Sequence, residues 1–205
     1  MGYIGIVDYG AGNLMSVSNS LNFLGLENKI VTTPELMEQA SGIILPGVGA
    51  FPDAMQALEE SGLTQSLIQA AKTKPFLGIC LGAQMLFEES DEIRPTKGLG
   101  LLPGRVQKIE TDLKLPQIGW NSLQYHKQDP LLAGVPEGSY VYFVHTFKMC
   151  PSDSNDLIAT CDYNDQVTGL VGRGQMYGSQ FHPEKSGEVG MTILRNFGNM
   201  VGGAE

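Results

Sequence analysis

The chain has 205 residues, 42% of them hydrophobic and 17% charged, enough for one well-buried α/β domain and unlike a disordered chain. A formal net charge of −9 argues against a nucleic-acid partner, since phosphate binding needs a basic face and Lys72/Lys74 and Arg94/Lys97 stand as isolated pairs. No apolar run approaches a membrane span, no basic flank or cleavage site of a signal peptide opens the chain, and Ile6 stands where a myristoylation signal needs Ser or Thr. The odd set Cys80, Cys150 and Cys161 fits free thiols, so a cytoplasmic location is expected.

The first half alternates short apolar runs with amphipathic ones. A strand is predicted over Tyr3–Asp8, a helix over Asn13–Leu24 with Gly25 as its stop, and a strand over Asn28–Thr32. Thr33 reads as an N-cap with Pro34 at the first helical position of a helix to Ala40. A strand over Gly42–Leu45 runs into Pro46-Gly47-Val48-Gly49, and helices follow over Pro52–Glu60 and Leu63–Lys72. Phe76–Ile79 is a fourth strand and Leu81–Glu88 the helix after it. Such alternation implies a doubly wound, mostly parallel sheet. In the second half, Arg105–Ile109, Ile118–Leu123, Tyr140–Lys148, Leu157–Cys161, Thr168–Val171 and Met176–Phe181 read as strands joined by Gly, Pro, Asp and Asn turns. A last helix over Val189–Met200 carries Val189, Ile193, Leu194, Phe197 and Met200 on one face, a spacing that serves core packing. Without repeats or a linker, residues 1–205 form one α/β domain with a mixed sheet.

Chemistry concentrates at Pro75-Phe76-Leu77-Gly78-Ile79-Cys80-Leu81-Gly82. Gly-x-nucleophile-x-Gly between strand and helix forces a strained backbone at its centre, and the glycines leave room for neighbouring elements. Cys80 then projects from the carboxyl end of a strand, where open α/β sheets bind ligands, and a helix N-terminus there favours an anionic sulfur. Cys150 and Cys161 lack such a setting and read as small buried hydrophobes.

Three histidines compete for the role of base. His126 lies in a polar loop and reads as a surface residue; His145 interrupts an apolar strand and reads as a satisfied buried or edge histidine. His182 precedes Pro183-Glu184, and proline holds the residue before it extended. Residues two apart on an extended segment share a face, so Glu184 can hold one imidazole nitrogen of His182 while the other takes the thiol proton. The acid follows the histidine by two residues, unlike the α/β-hydrolase order.

Attack on an amide also needs N–H donors for the developing oxyanion. Leu81, first in the helix after the nucleophile, offers one, and the Gly47-Val48-Gly49 loop offers a second. Gly10-Ala11-Gly12 and Gly47-Val48-Gly49 both lack the third glycine of a dinucleotide fingerprint. The cysteines and histidines show no metal-ligand spacing, and no Walker loop or Ser-Gly-Gly nucleotide loop is present.

Cys…His-x-Glu in this order resembles the class I, triad-type glutamine amidotransferases, and the likeness covers essentially the whole chain. Asp8-Tyr9-Gly10-Ala11-Gly12-Asn13, Pro46-Gly47-Val48-Gly49, Gly78-Ile79-Cys80-Leu81-Gly82-Ala83-Gln84, Gly119-Trp120-Asn121, Tyr142-Phe143-Val144-His145-Thr146 and Gln180-Phe181-His182-Pro183-Glu184-Lys185-Ser186 are together similar to the histidine-pathway branch. Ala83 stands where Met is usual in that branch and Phe147 where Tyr is usual. The resemblance implies a flavodoxin-like fold and a Cys80–His182–Glu184 triad that hydrolyses glutamine to glutamate and ammonia without a cofactor. It implies substrate contacts at Gln84, Thr146 and Phe147. It also implies a heterodimer with a (β/α)₈-barrel cyclase that turns the ammonia into imidazole glycerol phosphate and an aminoimidazole carboxamide ribotide. Asn13, Trp120, Tyr142 and Lys185 are the candidates for that contact, with a core role for Trp120 equally open. A paralogue serving surface-sugar amidation would keep the same motifs, and a non-catalytic regulatory subunit is the alternative from another class.

Overall fold

Alternating side chains of the central strands serve two cores at once. Ile44, Leu77 and Ile79 pack on one face of the sheet, Ile43, Leu45 and Phe76 on the other. The protein, seen here as a computed structural model describing residues 2–202, therefore carries helices on both faces; residues 1 and 203–205 of the expected domain lie outside the described residues.

The first half runs β1 (Ile4–Val7), α1 (Leu14–Phe23), β2 (Asn28–Val31), α2 (Pro34–Gln39), β3 (Gly42–Gly47), α3 (Phe51–Glu60), α4 (Thr64–Thr73), β4 (Phe76–Cys80) and α5 (Leu81–Gln84). The expected caps are present: Thr33 Oγ1 accepts from Leu36 N at 3.4 Å, and Gly25 closes α1 at φ +71°. The second half runs β5 (Glu89–Ser90), β6 (Thr96–Lys97), β7 (Gly104–Lys108), β8 (Gln117–Ser122), β9 (Gln124–Tyr125), β10 (Tyr140–His145), β11 (Phe147–Pro151), β12 (Leu157–Asp162), β13 (Gln166–Arg173), β14 (Met176–Ser179) and α6 (Gly187–Gly202).

Eight strands in the order β2-β1-β3-β4-β14-β13-β12-β9 form the main sheet, parallel from β2 through β14 and antiparallel beyond. Helices α1 and α6 cover one face through Val17, Leu21, Ile193 and Phe197; α2 to α4 cover the other through Met37, Leu58 and Leu67. Two smaller sheets, β10-β8 and β11-β7-β5-β6, stand beside it. No helix among the described residues is long and apolar enough to cross a membrane.

Three expectations need correction. The helix after Cys80 ends at Gln84, not Glu88, because a following loop takes its carbonyls. Met85 O accepts from Leu99 N at 2.9 Å, Leu86 O from Leu101 and Leu102 N at 2.9 Å, and Glu88 O from Gly98 N at 2.8 Å. The stretch Tyr140–Lys148 is not one strand: it breaks at Thr146, with β10 pairing β8 and β11 pairing β7. The strand expected to reach Phe181 stops at Ser179, where Gln180 leaves the β4 ladder and donates to Gly169 O at 2.9 Å instead.

Candidate active site

Strand β4 delivers Cys80 to the carboxyl edge of the sheet with φ 55° and ψ −112°, a left-handed backbone that side-chain-bearing residues rarely adopt. The flanking glycines are needed because backbone passes so near. A Cβ on Gly78 would lie 2.7 Å from Ala83 Cα, and one on Gly82 would lie 1.9 Å from Leu45 O. Strand β14 runs parallel to β4 and carries the chain to His182 beside the sulfur. His182 is extended at φ −97° and ψ 98°, and its N–H donates to Tyr142 O at 3.0 Å. The next residues are not extended: Pro183–Lys185 makes a single 3₁₀ turn, and that turn swings Glu184 back onto the ring.

His182 Nδ1–H donates to Glu184 Oε1 at 2.7 Å, with both side chains buried. This bond fixes the tautomer and leaves Nε2, which has no hydrogen-bond partner, free on a ring that lines the same cavity as the Cys80 sulfur. Burial opposes protonation of His182, but the neighbouring Cys80 sulfur and the Glu184 carboxylate outweigh it and push the imidazole pKa up to about 9. The Cys80 sulfur also lies 3.9 Å from Val144 O and 3.9 Å from Gln180 Nε2.

Cys80 and His182 line a cavity of about 260 Å³. Val48, Gly49 and Leu81, expected to serve the oxyanion, border it, and so do Gln84, Thr146 and Phe147. Gly47 sits behind, in register with Cys80; a Cβ there would lie 2.7 Å from Gly82 N and 2.8 Å from Tyr9 Oη. Gln84 Nε2 donates to Phe147 O at 2.8 Å and Gln180 Oε1 at 3.0 Å, so it braces the pocket wall at the strand break.

Two residues at the site carry no sequence signal for it. Glu92 reaches the cavity from a polar loop with no motif around it, its Oε2 accepting from Phe51 N at 2.8 Å at the start of α3. Burial raises its carboxyl pKa. Tyr9 belongs to the Asp8-to-Asn13 motif, in which the sequence assigns a task to Asn13 alone. Its buried hydroxyl donates to Pro46 O at 3.1 Å and pins the start of the Gly47–Gly49 loop.

His145 departs from the satisfied histidine expected. Its Nδ1–H donates to Phe147 O at 2.7 Å, but Nε2 is buried without a partner. Burial, helped by the nearby His182, lowers its pKa from 6.5 to about 4. An unfolded chain therefore takes up the proton near pH 6.5 while the folded one resists to about 4, and stability falls as pH drops through that window. We expect this group to remove up to about 3 kcal/mol by pH 4. Urea unfolding of the wild type and His145→Leu at several pH values checks it: equal pH slopes would show that His145 titrates normally. His126 is exposed, with Nε2 2.9 Å from Thr160 Oγ1.

Of the expected contact residues, Trp120 is 52% exposed and not part of the core; it meets Tyr142 edge-on at 5.9 Å between ring centroids. Ile118 and Tyr140 lie exposed on the same two strands, and Lys185 is exposed in the turn after His182. Asn13 is half-buried and caps α1, its Oδ1 accepting from Ser16 N at 3.3 Å. Cys150 and Cys161 are free thiols with pKa values raised by burial, Cys161 to about 11. Among the described residues no cluster of three or more His, Cys, Asp and Glu side chains is placed to hold a metal ion.

A family model for class-I glutamine amidotransferase matches residues 5–200. The chain is 51% identical over 201 residues to "Imidazole glycerol phosphate synthase subunit HisH" of Geobacillus kaustophilus (strain HTA426), covering 95% of each. It is 46% identical over 200 residues to the subunit of the same name from Bacillus cereus (strain G9842), covering 97% of this chain and 95% of that one. Among solved structures, a glutamine amidotransferase superposes with TM-score 0.78 at 21% identity, covering 98% of this chain and 100% of the other. A second glutamine amidotransferase, from Thermotoga maritima, superposes with TM-score 0.71 at 16% identity, covering 99% of this chain and 100% of the other. These two likenesses speak for the fold alone.

Proposed function

Because the chain belongs to the class-I glutamine amidotransferase family, we propose that Cys80, His182 and Glu184 are the triad with which it hydrolyses glutamine. The observation that carries this is the left-handed Cys80 facing a buried imidazole–carboxylate pair at the edge of a cavity sized for one amino acid. The Cys80 sulfur attacks the side-chain amide carbon, and the carbonyl oxygen becomes an oxyanion. Leu81 N–H and an N–H of the Gly47–Gly49 loop receive it. His182 Nε2–H protonates the amide nitrogen, the C–N bond breaks, and ammonia departs from a glutamyl thioester. Water then attacks the thioester, giving its proton to His182, and glutamate leaves. Glu184 keeps Nδ1 protonated throughout, so only Nε2 exchanges protons. The Glu92 carboxylate supplies the negative charge that a substrate α-ammonium needs, and Gln84, Thr146 and Phe147 hold the rest of the amino acid.

The chain serves histidine biosynthesis as the glutaminase subunit of an imidazole glycerol phosphate synthase. Its partner is a (β/α)₈-barrel cyclase, bound as a heterodimer and receiving the ammonia directly. The exposed Trp120–Tyr142 face, with Ile118 and Tyr140 around it, supplies the aromatic anchors such a contact uses, and Lys185 supplies a charge at its edge. Asn13, at the cap of α1, completes the contact.

An electrophilic glutamine analogue should alkylate Cys80 and spare Cys150 and Cys161, whose raised pKa values keep them protonated near pH 7. Peptide mapping after limited labelling reads the result. Equal modification of the three thiols would remove the case for Cys80 as nucleophile.

A further inference from the structure

Two buried acceptors beside the triad have no donor. Gln117 and His145 lie directly opposite one another in the antiparallel β8–β10 pair, at 0% and 7% exposure. Phe147 O can only accept, so His145 Nδ1 carries the ring proton and Nε2 is a free acceptor. Gln117 uses its amide nitrogen on Asn121 Oδ1 at 2.9 Å and the Cys161 sulfur at 3.6 Å, which leaves Oε1 unpartnered as well. Asn121 is oriented in turn by its own bond from Nδ2 to Asp162 O at 3.2 Å. Directly opposed residues on one face of an antiparallel pair have Cβ atoms about 4.5–5.5 Å apart. The two free acceptors therefore belong to neighbouring side chains on one face of the pair at the end of β10, and His145 also lines the cavity that holds Cys80.

Building on the glutaminase reading, we propose that Gln117 Oε1 and His145 Nε2 form a holding site for the ammonia released at Cys80. Ammonia has three N–H donors, which is what two unpaired acceptors need, and water of similar size fills the place between turnovers. A charged donor would be the wrong partner, since proton transfer would convert ammonia to ammonium and abolish its nucleophilicity. Neither Gln117 nor a neutral His145 can make that transfer. The surroundings suit a neutral guest too: the Phe143 ring stacks 5.6 Å from His145 and 5.8 Å from Phe181. The same two strands present Trp120 and the half-buried Tyr142 on their other face, the proposed cyclase contact.

The test uses the reconstituted complex with the cyclase and compares wild type with Gln117→Met, which keeps the volume and removes the acceptor. Glutamate release, cyclised product from glutamine and cyclised product from ammonium salt are all measured. Cyclised product per glutamate should fall about 3–10-fold, as expected for one lost hydrogen bond, with free ammonia appearing in the medium. Synthesis from ammonium salt should stay at the wild-type rate, which also reports correct assembly. An unchanged ratio with normal glutamate release would overturn the holding site alone. A wild-type complex that released no glutamate would sink the parent reading and this one with it. Should Gln117→Met fail to fold, ¹⁵N-histidine spectra of the wild-type complex decide. Ammonium chloride at alkaline pH should move the His145 Nε2 resonance saturably, while potassium chloride should not. No shift, or the same shift with both salts, would mean that the site holds water only.

Discussion

Cys80→Ala should abolish glutamine-dependent synthesis by the complex, by at least about 10³-fold, while leaving synthesis from ammonium salt intact. Alanine removes the sulfur that forms the thioester but keeps a small apolar side chain on a strand buried along its whole length. The surface at Trp120 and Tyr142 belongs to other strands, so assembly should survive. His182→Ala should follow Cys80→Ala, because in the proposed mechanism His182 Nε2 carries every proton that the reaction moves. Glu184→Ala should lose less, by about a hundredfold, since an orienting carboxylate contributes less than the groups that form and break bonds. Cyclised product from each nitrogen source, at matched complex concentration, gives the answer. Retained glutamine turnover in Cys80→Ala would rule the mechanism out, whereas loss with both sources would mean that assembly had been damaged.

Glutamate release by the isolated chain should be slow, and should rise about 10²–10³-fold when the cyclase and its nucleotide ligand bind, that being the worth of one oxyanion donor. The Gly47–Gly49 loop, the proposed source of the second oxyanion donor, is held at one end and loose at the other. Tyr9 Oη pins Pro46 O at 3.1 Å, and Gly47 is wedged against Gly82 N, but Val48 is 46% exposed and Gly49 has φ +102° with open space around it. A peptide N–H there can turn away from the sulfur at rest and toward it when a partner covers the loop. Steady-state glutamate release with and without the partner and its ligand measures the ratio. Full activity from the isolated chain would contradict the reading.

The parallel half of the fold was legible because each strand–helix unit carries its own period and punctuation, as at Thr33-Pro34 and Gly25. The two-residue strands Glu89–Ser90, Thr96–Lys97 and Gln124–Tyr125 were not, since two residues show no alternation. The break at Thr146 was hidden for another reason: Tyr140–Lys148 contains no Gly, Pro, Asn or Asp to mark a turn, and only pairing with two different strands divides it. At the site, Cys80 and His182-Pro183-Glu184 stood out because their backbone demands are local. Pro183 does not keep the segment extended, yet the turn it begins brings the same two side chains into contact. Glu92 has no motif beside it, and the tasks of Tyr9 and of the unpaired His145 nitrogen depend on where distant segments end up.

The backbone of Cys80 sets a limit on how this chain can drift. A non-glycine residue at φ 55° and ψ −112° is strained, by about 1–3 kcal/mol, and glycine would relieve it. Selection for stability alone would therefore tend to replace this cysteine. Proteins sit close above a stability threshold, so a penalty of that size persists where losing the side chain is worse than carrying the strain. A descendant released from making ammonia would have a ready route to a sturdier fold through a single substitution at position 80. On the proposed mechanism, retention of sulfur there separates chains still under pressure to turn over glutamine from those kept only as scaffolds.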